Sequence, residues 1–87
     1  MKNFHLQITT PDGSCFDGEA YQLSVRSIDG NVAILAGHIP YVTALTDGEC
    51  RVYTNGDIIK KAHCTGGLLT VNKEIVRLIS SDFKWIE

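Results

Sequence analysis

The strongest constraint on this chain is a two-residue period. Apolar and polar residues alternate in short runs, and nearly every run stops at a turn containing glycine. Phe4, Leu6 and Ile8 alternate with His5, Gln7 and Thr9, which places the apolar set on one face of a strand. "PDG" at 11–13 ends that run, because Pro fixes φ and Gly accepts positive φ. Tyr21 to Arg26 alternates again and runs into Asp29-Gly30, a hairpin signal ahead of Val32 and Ile34. "TDG" at 46–48, Asn55-Gly56, Gly66-Gly67 and Asn72-Lys73 punctuate the rest. Between them Ile58, Lys60, Ala62 and Cys64 share one phase, Ile59, Lys61 and His63 share the other, and "EIVRLIS" supplies a late strand. No segment carries a 3.6-residue period. About ten strands at this turn spacing predict an all-β fold, an antiparallel β-sandwich or flattened barrel.

Eighty-seven residues suit one domain over 1–87 with one core. At 44% hydrophobic and 21% charged, the composition is that of a soluble globular protein. The longest apolar stretches are far short of the ~20 residues needed to span a bilayer. "MKNFHLQITT" lacks the apolar centre of a signal peptide, so the expected location is cytosolic or membrane-peripheral. "SSDFKWIE" ends as though sequence once continued beyond it. The formal charge is −2, and only Lys60-Lys61 sit together among the basic residues. Nucleic acid is therefore not expected as a partner, since phosphate contacts need clustered positive charge. Cys15, Cys50 and Cys64 form an odd set without C-x-x-C spacing, read as three buried reduced thiols.

Catalysis should leave a nucleophile beside a base, paired carboxylates or a set of metal ligands. His63 adjoins Cys64, but strand neighbours point to opposite faces and cannot share a metal. A Cys–His hydrolase built from Cys50 or Cys64 with His38 is a rival reading, against which small buried thiols stand as the plainer one. Neither G-x-x-x-x-G-K-[ST] nor G-x-G-x-x-G occurs, and no cofactor or metal is expected. Gly66-Gly67 reads as a bulge or a close approach of backbones. Asp12, Asp29, Asp47 and Asp57 lie in glycine-containing turns, where an Asp side chain bonds to backbone. A second rival is a small β-sandwich carrier or ligand-binding module with Lys60 or Lys61 modified, although neither lysine falls at a hairpin tip. Phe4, Phe16 and Tyr21 are expected in the core. Trp85 either caps the sandwich or packs against a partner.

The least regular stretch is "AGHIPYVTAL", residues 36–45, where Gly-His and Pro interrupt strand-forming residues. Taken alone, it is a bend with His38 bonded to nearby backbone. In context, "SIDGNVAILAGHIPYVTALTDGECRV" at 27–52 resembles the epsilon chain of F-type ATP synthases, through the acidic-Gly turn, the Gly-His-x-Pro bend and Thr-Ala-Leu. "FHLQITTPDGSCFDGEAYQLSV" is similar to that family's opening strands, with Phe16 and Gly18 as its Phe-x-Gly. "TGGLLTVNKEIVRLIS" is similar to its Gly-Gly strand and final hairpin.

The resemblance implies a β-sandwich of about ten strands and a non-catalytic subunit of the central stalk. Such a subunit binds the gamma chain and the c-subunit ring and helps couple ion-driven rotation to ATP synthesis. It would lie at the cytoplasmic face of the bacterial plasma membrane, held there only through the complex. Asp29, Gly30 and Asn31 would face the c-ring, and His38, Ile39 and Tyr41 would lie in the stalk-facing loop. Ile39 and Tyr41 are open to two readings, partner contact or core. The chain departs from the family pattern at Ala36, usually Pro, and at Asn31, acidic in some members. Nothing after Glu87 supplies the family's C-terminal helical hairpin, so inhibition and nucleotide binding are not carried over.

Overall fold

The computed structural model describes residues 2–54 and 58–86, with Ile58 described by its backbone alone. The ten strands are β1 (Phe4–Thr10), β2 (Gly13–Ala20), β3 (Gln22–Ser27), β4 (Gly30–Leu35), β5 (Tyr41–Leu45), β6 (Gly48–Thr54), β7 (Ile58–Cys64), β8 (Gly67–Val71), β9 (Ile75–Ile79) and β10 (Phe83–Trp85). They form one hydrogen-bonded sheet in the order β10-β7-β6-β3-β5-β8-β9-β1-β2, with β4 on β3. The sheet folds on itself where β3 passes from β6 to a single pairing with β5, Ser27 opposite Leu45. The expected sandwich is therefore present. One pair departs from the antiparallel rule: β1 and β9 run parallel, joined through most of the chain rather than by a tight turn.

Each alternating run buries one phase. Leu6, Ile8, Leu23, Ile34, Val52, Leu69 and Leu78 are fully enclosed between the two layers. Phe4 and Phe16 pack half-buried against that core. Tyr21 does not join it; its ring lies 5.9 Å from that of Tyr53. Strand pairing, with Leu23 opposite both Ile34 and Val52, brings residues far apart in sequence into one apolar layer. The sheet's two end strands meet through aromatic side chains. Trp85 of β10 packs edge-on to Phe16 of β2 at 6.3 Å and to Phe83 at 5.0 Å, so it caps the sandwich.

Two further expectations are corrected. Cys50 and Cys64 are buried, but Cys15 is only half-buried, because the β1–β2 register shifts there and leaves it outside the pairing. At two of the Asp-Gly turns the bond to backbone comes from the hydroxyl residue two places earlier: Thr10 Oγ1 accepts from the Asp12 amide and Ser27 Oγ from that of Asp29. The Asn55-Gly56 turn, Asp57 and the Ile58 side chain lie outside the described residues. Gly66-Gly67 does mark a close approach. A Cβ on Gly67 would overlap the Ile79 carbonyl oxygen and lie 2.9 Å from Ser80 Cα.

Candidate partner-binding surface

The bend between β4 and β5 is built from its own backbone. Gly37 takes φ +86°, a conformation that glycine adopts without a Cβ penalty, and the His38 amide then donates to the Leu35 carbonyl at 3.1 Å. The His38 ring turns back on the same loop. Its Nδ1 lies 2.7 Å from the Ile39 carbonyl oxygen and its centroid 5.5 Å from that of Tyr41. A carbonyl only accepts, so that Nδ1 carries the hydrogen. Tyr41 packs partly against the core, whereas Ile39 is 74% exposed. The two readings of this loop therefore divide: His38 and Tyr41 are joined and anchored, and Ile39 alone stands in solvent.

Asp29, Gly30 and Asn31 form the exposed tip of the β3–β4 hairpin. Ser27 organises that tip. Its Oγ donates to the Gly30 carbonyl at 3.0 Å and accepts from the Asp29 amide at 3.1 Å. The tip carries no apolar side chain, but it adjoins Ile28, which is 65% exposed.

Ile28 starts a feature that the sequence reading missed. Its amide donates to the Ala44 carbonyl at 3.1 Å. Ala44 pairs with Leu68, and Leu68 pairs with Ile79. These residues make a row across β5, β8 and β9 on the outward face, with Val42 one step along β5. Val42 is 62% exposed, Ile79 50% and Leu68 43%. Single exposed apolar residues are normal, whereas these neighbour one another along the row. The signal in the sequence is that "YVTAL", "GLLTV" and "EIVRLI" carry apolar residues on both phases of the alternation. Period-2 reasoning assigns one phase to the core and says nothing about the other.

The rival chemistries find little support. Burial pushes the Cys50 thiol up to about 12, with the neighbouring Cys64 adding to the rise. Burial likewise raises Cys64, opposed in part by its hydrogen bond to Ser80. Thiolate is the reactive form, so both are moved away from nucleophilic use. With iodoacetamide at pH 8, Cys15 is expected to react while Cys50 and Cys64 stay unmodified until denaturant is added. Mass spectrometry reads this directly, and native labelling of Cys50 or Cys64 at the rate of a free thiol would contradict it. His63 is exposed and Cys64 buried, as strand alternation requires. Lys60 and Lys61 lie inside β7 rather than at a tip. Lys60 Nζ sits 5.7 Å from the Phe16 ring centroid and 5.8 Å from that of Trp85, a cation–π position.

The chain is thus a β-sandwich with two buried thiols in its core and an apolar row on an outer face. The ATP synthase Delta/Epsilon chain beta-sandwich domain matches residues 3–86, and the chain belongs to that family. The chain is 34% identical to the ATP synthase epsilon chain of Caldicellulosiruptor saccharolyticus, over all of this chain and 63% of that one. It is 36% identical to that of Bacillus velezensis, over 92% of this chain and 60% of the relative. It thus spans less than two thirds of the length of these relatives. A chain in the cryo-EM structure of the Euglena gracilis mitochondrial ATP synthase (OSCP/F1/c-ring in rotational state 1) shares the fold. Its TM-score is 0.90 at 22% identity, over 95% of this chain and 53% of that one.

Proposed function

We propose that residues 1–87 act as one β-sandwich domain of a non-catalytic central-stalk subunit in a rotary ATP synthase. In this reading the domain binds the gamma chain and the c-subunit ring and helps couple ion-driven rotation to ATP synthesis. It sits at the cytoplasmic face of a bacterial plasma membrane, held there by the complex. The observation that carries the proposal is the outward apolar row of Ile28, Val42, Ala44, Leu68 and Ile79 in a chain of the epsilon family. That row is the docking face for gamma, extended by Ile39 at its margin. The polar tip Asp29-Gly30-Asn31, next to Ile28, reaches toward the c-ring. A stable contact buries on the order of 800 Å² per partner, so the contact would extend beyond the row to the bordering loops. Torque transfer needs a stiff body with such faces and no nucleophile or shifted acid.

The test is titration calorimetry of the chain against its cognate gamma chain. Saturable binding is expected, and Leu68→Glu should weaken it by about tenfold or more, since an unpaired carboxylate buried in an apolar contact loses 1.4 kcal/mol or more. Leu68 faces outward, so the variant should keep its fold. Equal affinity in variant and parent would remove gamma from this face, and absence of binding with both proteins folded would remove the proposal.

A further inference from the structure

The other outer face also exposes apolar side chains, Leu35 and Ile59, but it gathers basic ones beside them. On β3, β6, β7 and β10 the outward phase brings Arg26, Arg51, Lys61 and Lys84 onto one surface. Ser24 lies opposite Arg51, Arg51 opposite Lys61, and His63 opposite Lys84. These are half of the eight Lys and Arg residues of a chain whose net charge is −2. Among the described strand positions of that face, Glu49 is the one acid.

Within the face is a cleft of about 420 Å³ lined by Ser24, Arg26, Asn31, Glu49, Arg51 and Tyr53, with Val25 at its floor. Short side chains make it concave: Ser24 lies between Ala33 of β4 and Arg51 of β6. Gly48 gives Arg26 its place, since a Cβ there would come within 3.0 Å of Arg26 Cβ and 3.1 Å of its Cδ. The two guanidiniums differ in their partners. Arg51 Nε donates to Glu49 Oε2 at 3.0 Å, and Arg51 also hydrogen-bonds the Tyr53 side chain. Arg26 has no ion pair among the described residues. The walls thus present two cations, the Asn31 amide, two hydroxyls and one carboxylate.

We propose that this cleft is a binding site for hydrogen phosphate, gripped by Arg26 and Arg51. Guanidinium forks match phosphate oxygens geometrically, and Ser24, Asn31 and Tyr53 offer further donors. Glu49 sets the choice of anion. Its hydrogen bond from Arg51 holds its carboxyl below the usual carboxylate range, so it stays an acceptor at neutral pH. Hydrogen phosphate has a P–OH to donate to that acceptor. Sulfate has none, and a second anion without a proton is repelled there. The site is on the face opposite the apolar row, does not depend on gamma docking, and shares Asn31 with the tip proposed to reach the c-ring.

The test is a ¹H–¹⁵N NMR titration of the 87-residue chain at pH 7 with inorganic phosphate, and separately with sulfate, at matched ionic strength. Phosphate should give saturable shifts at the amides of Ser24, Arg26, Asn31 and Arg51, with sulfate at least tenfold weaker. Arg26→Gln and Arg51→Gln should each lose tenfold or more in phosphate affinity while keeping a folded spectrum. Lys73→Gln, in the turn between β8 and β9, should bind phosphate as the parent does. Glu49→Gln should narrow the gap between phosphate and sulfate. Non-saturating shifts spread over all basic residues would overturn the proposal. So would phosphate affinity unchanged in both Arg26→Gln and Arg51→Gln, or parent affinities equal for the two anions.

Discussion

Gly67→Ala is expected to cost about 3 kcal/mol or more of folding stability, on the scale of backbone strain combined with overpacking. Gly67 has φ +134°, a conformation open in practice only to glycine. Its missing Cβ is also the space in which β8 passes the end of β9. The new methyl would meet the Ile79 carbonyl oxygen and Ser80 Cα, both backbone, neither able to move aside as a long side chain would. What lies behind them is also fixed. Ser80 is buried, its amide donates to the Thr9 carbonyl at 3.0 Å, and its hydroxyl lies within hydrogen-bond reach of the Gly66 and Asp82 carbonyls. Strain at Gly67 is therefore passed into the β9–β1 junction rather than relieved locally. Urea melts of the two proteins measure the effect, and a midpoint within error of the parent would show that the backbones can part.

Leu69→Ala is the second large effect, at about 2–5 kcal/mol for truncating a fully buried leucine. Leu69 has no exposed surface and lies between Thr43 of β5 and Leu78 of β9. The informative control is its neighbour. Leu68→Ala removes the same atoms from a side chain that is outward and partly in water, and should change stability by about 0.5 kcal/mol or less. The pair tests the pleat directly: one residue's shift in sequence exchanges core for surface. Similar losses in the two variants would mean that the β8 register is wrong. Leu68→Ala should matter instead for gamma binding, and Leu69→Ala for folding.

That contrast also explains which parts of this protein were legible in advance. The alternation in Phe4–Thr10 and Tyr21–Arg26, with turn residues between, was enough for the sandwich, because backbone sterics and burial act within a few residues. Gly66-Gly67 was readable as a close approach because paired glycines mark a place with no room for a Cβ, but its partner, the Ile79–Ser80 backbone, was not. The Gly-His-x-Pro stretch alone implies a His38 bonded to nearby backbone, and its Nδ1 does meet the Ile39 carbonyl. Tyr41 and Ile39 could not be separated, because both follow a bend whose direction depends on Gly37 and on where β5 pairs. The apolar row was invisible as a row, since its members come from four separate segments and only strand pairing makes them neighbours.

Local chemistry in the sequence by itself determined the strands, most of their turns and the buried phase of the runs that alternate cleanly. A period of two and the φ demands of Gly and Pro need no distant partner to act. The tertiary structure alone decided the parallel β1–β9 pairing, the closure of the sheet through Phe16 and Trp85, and the gathering of an apolar row on one outer face and of four basic side chains on the other. Those depend on which strand lies beside which. The hydrophobic effect that drives burial is non-directional and leaves strand order to be settled by the packing of the whole chain.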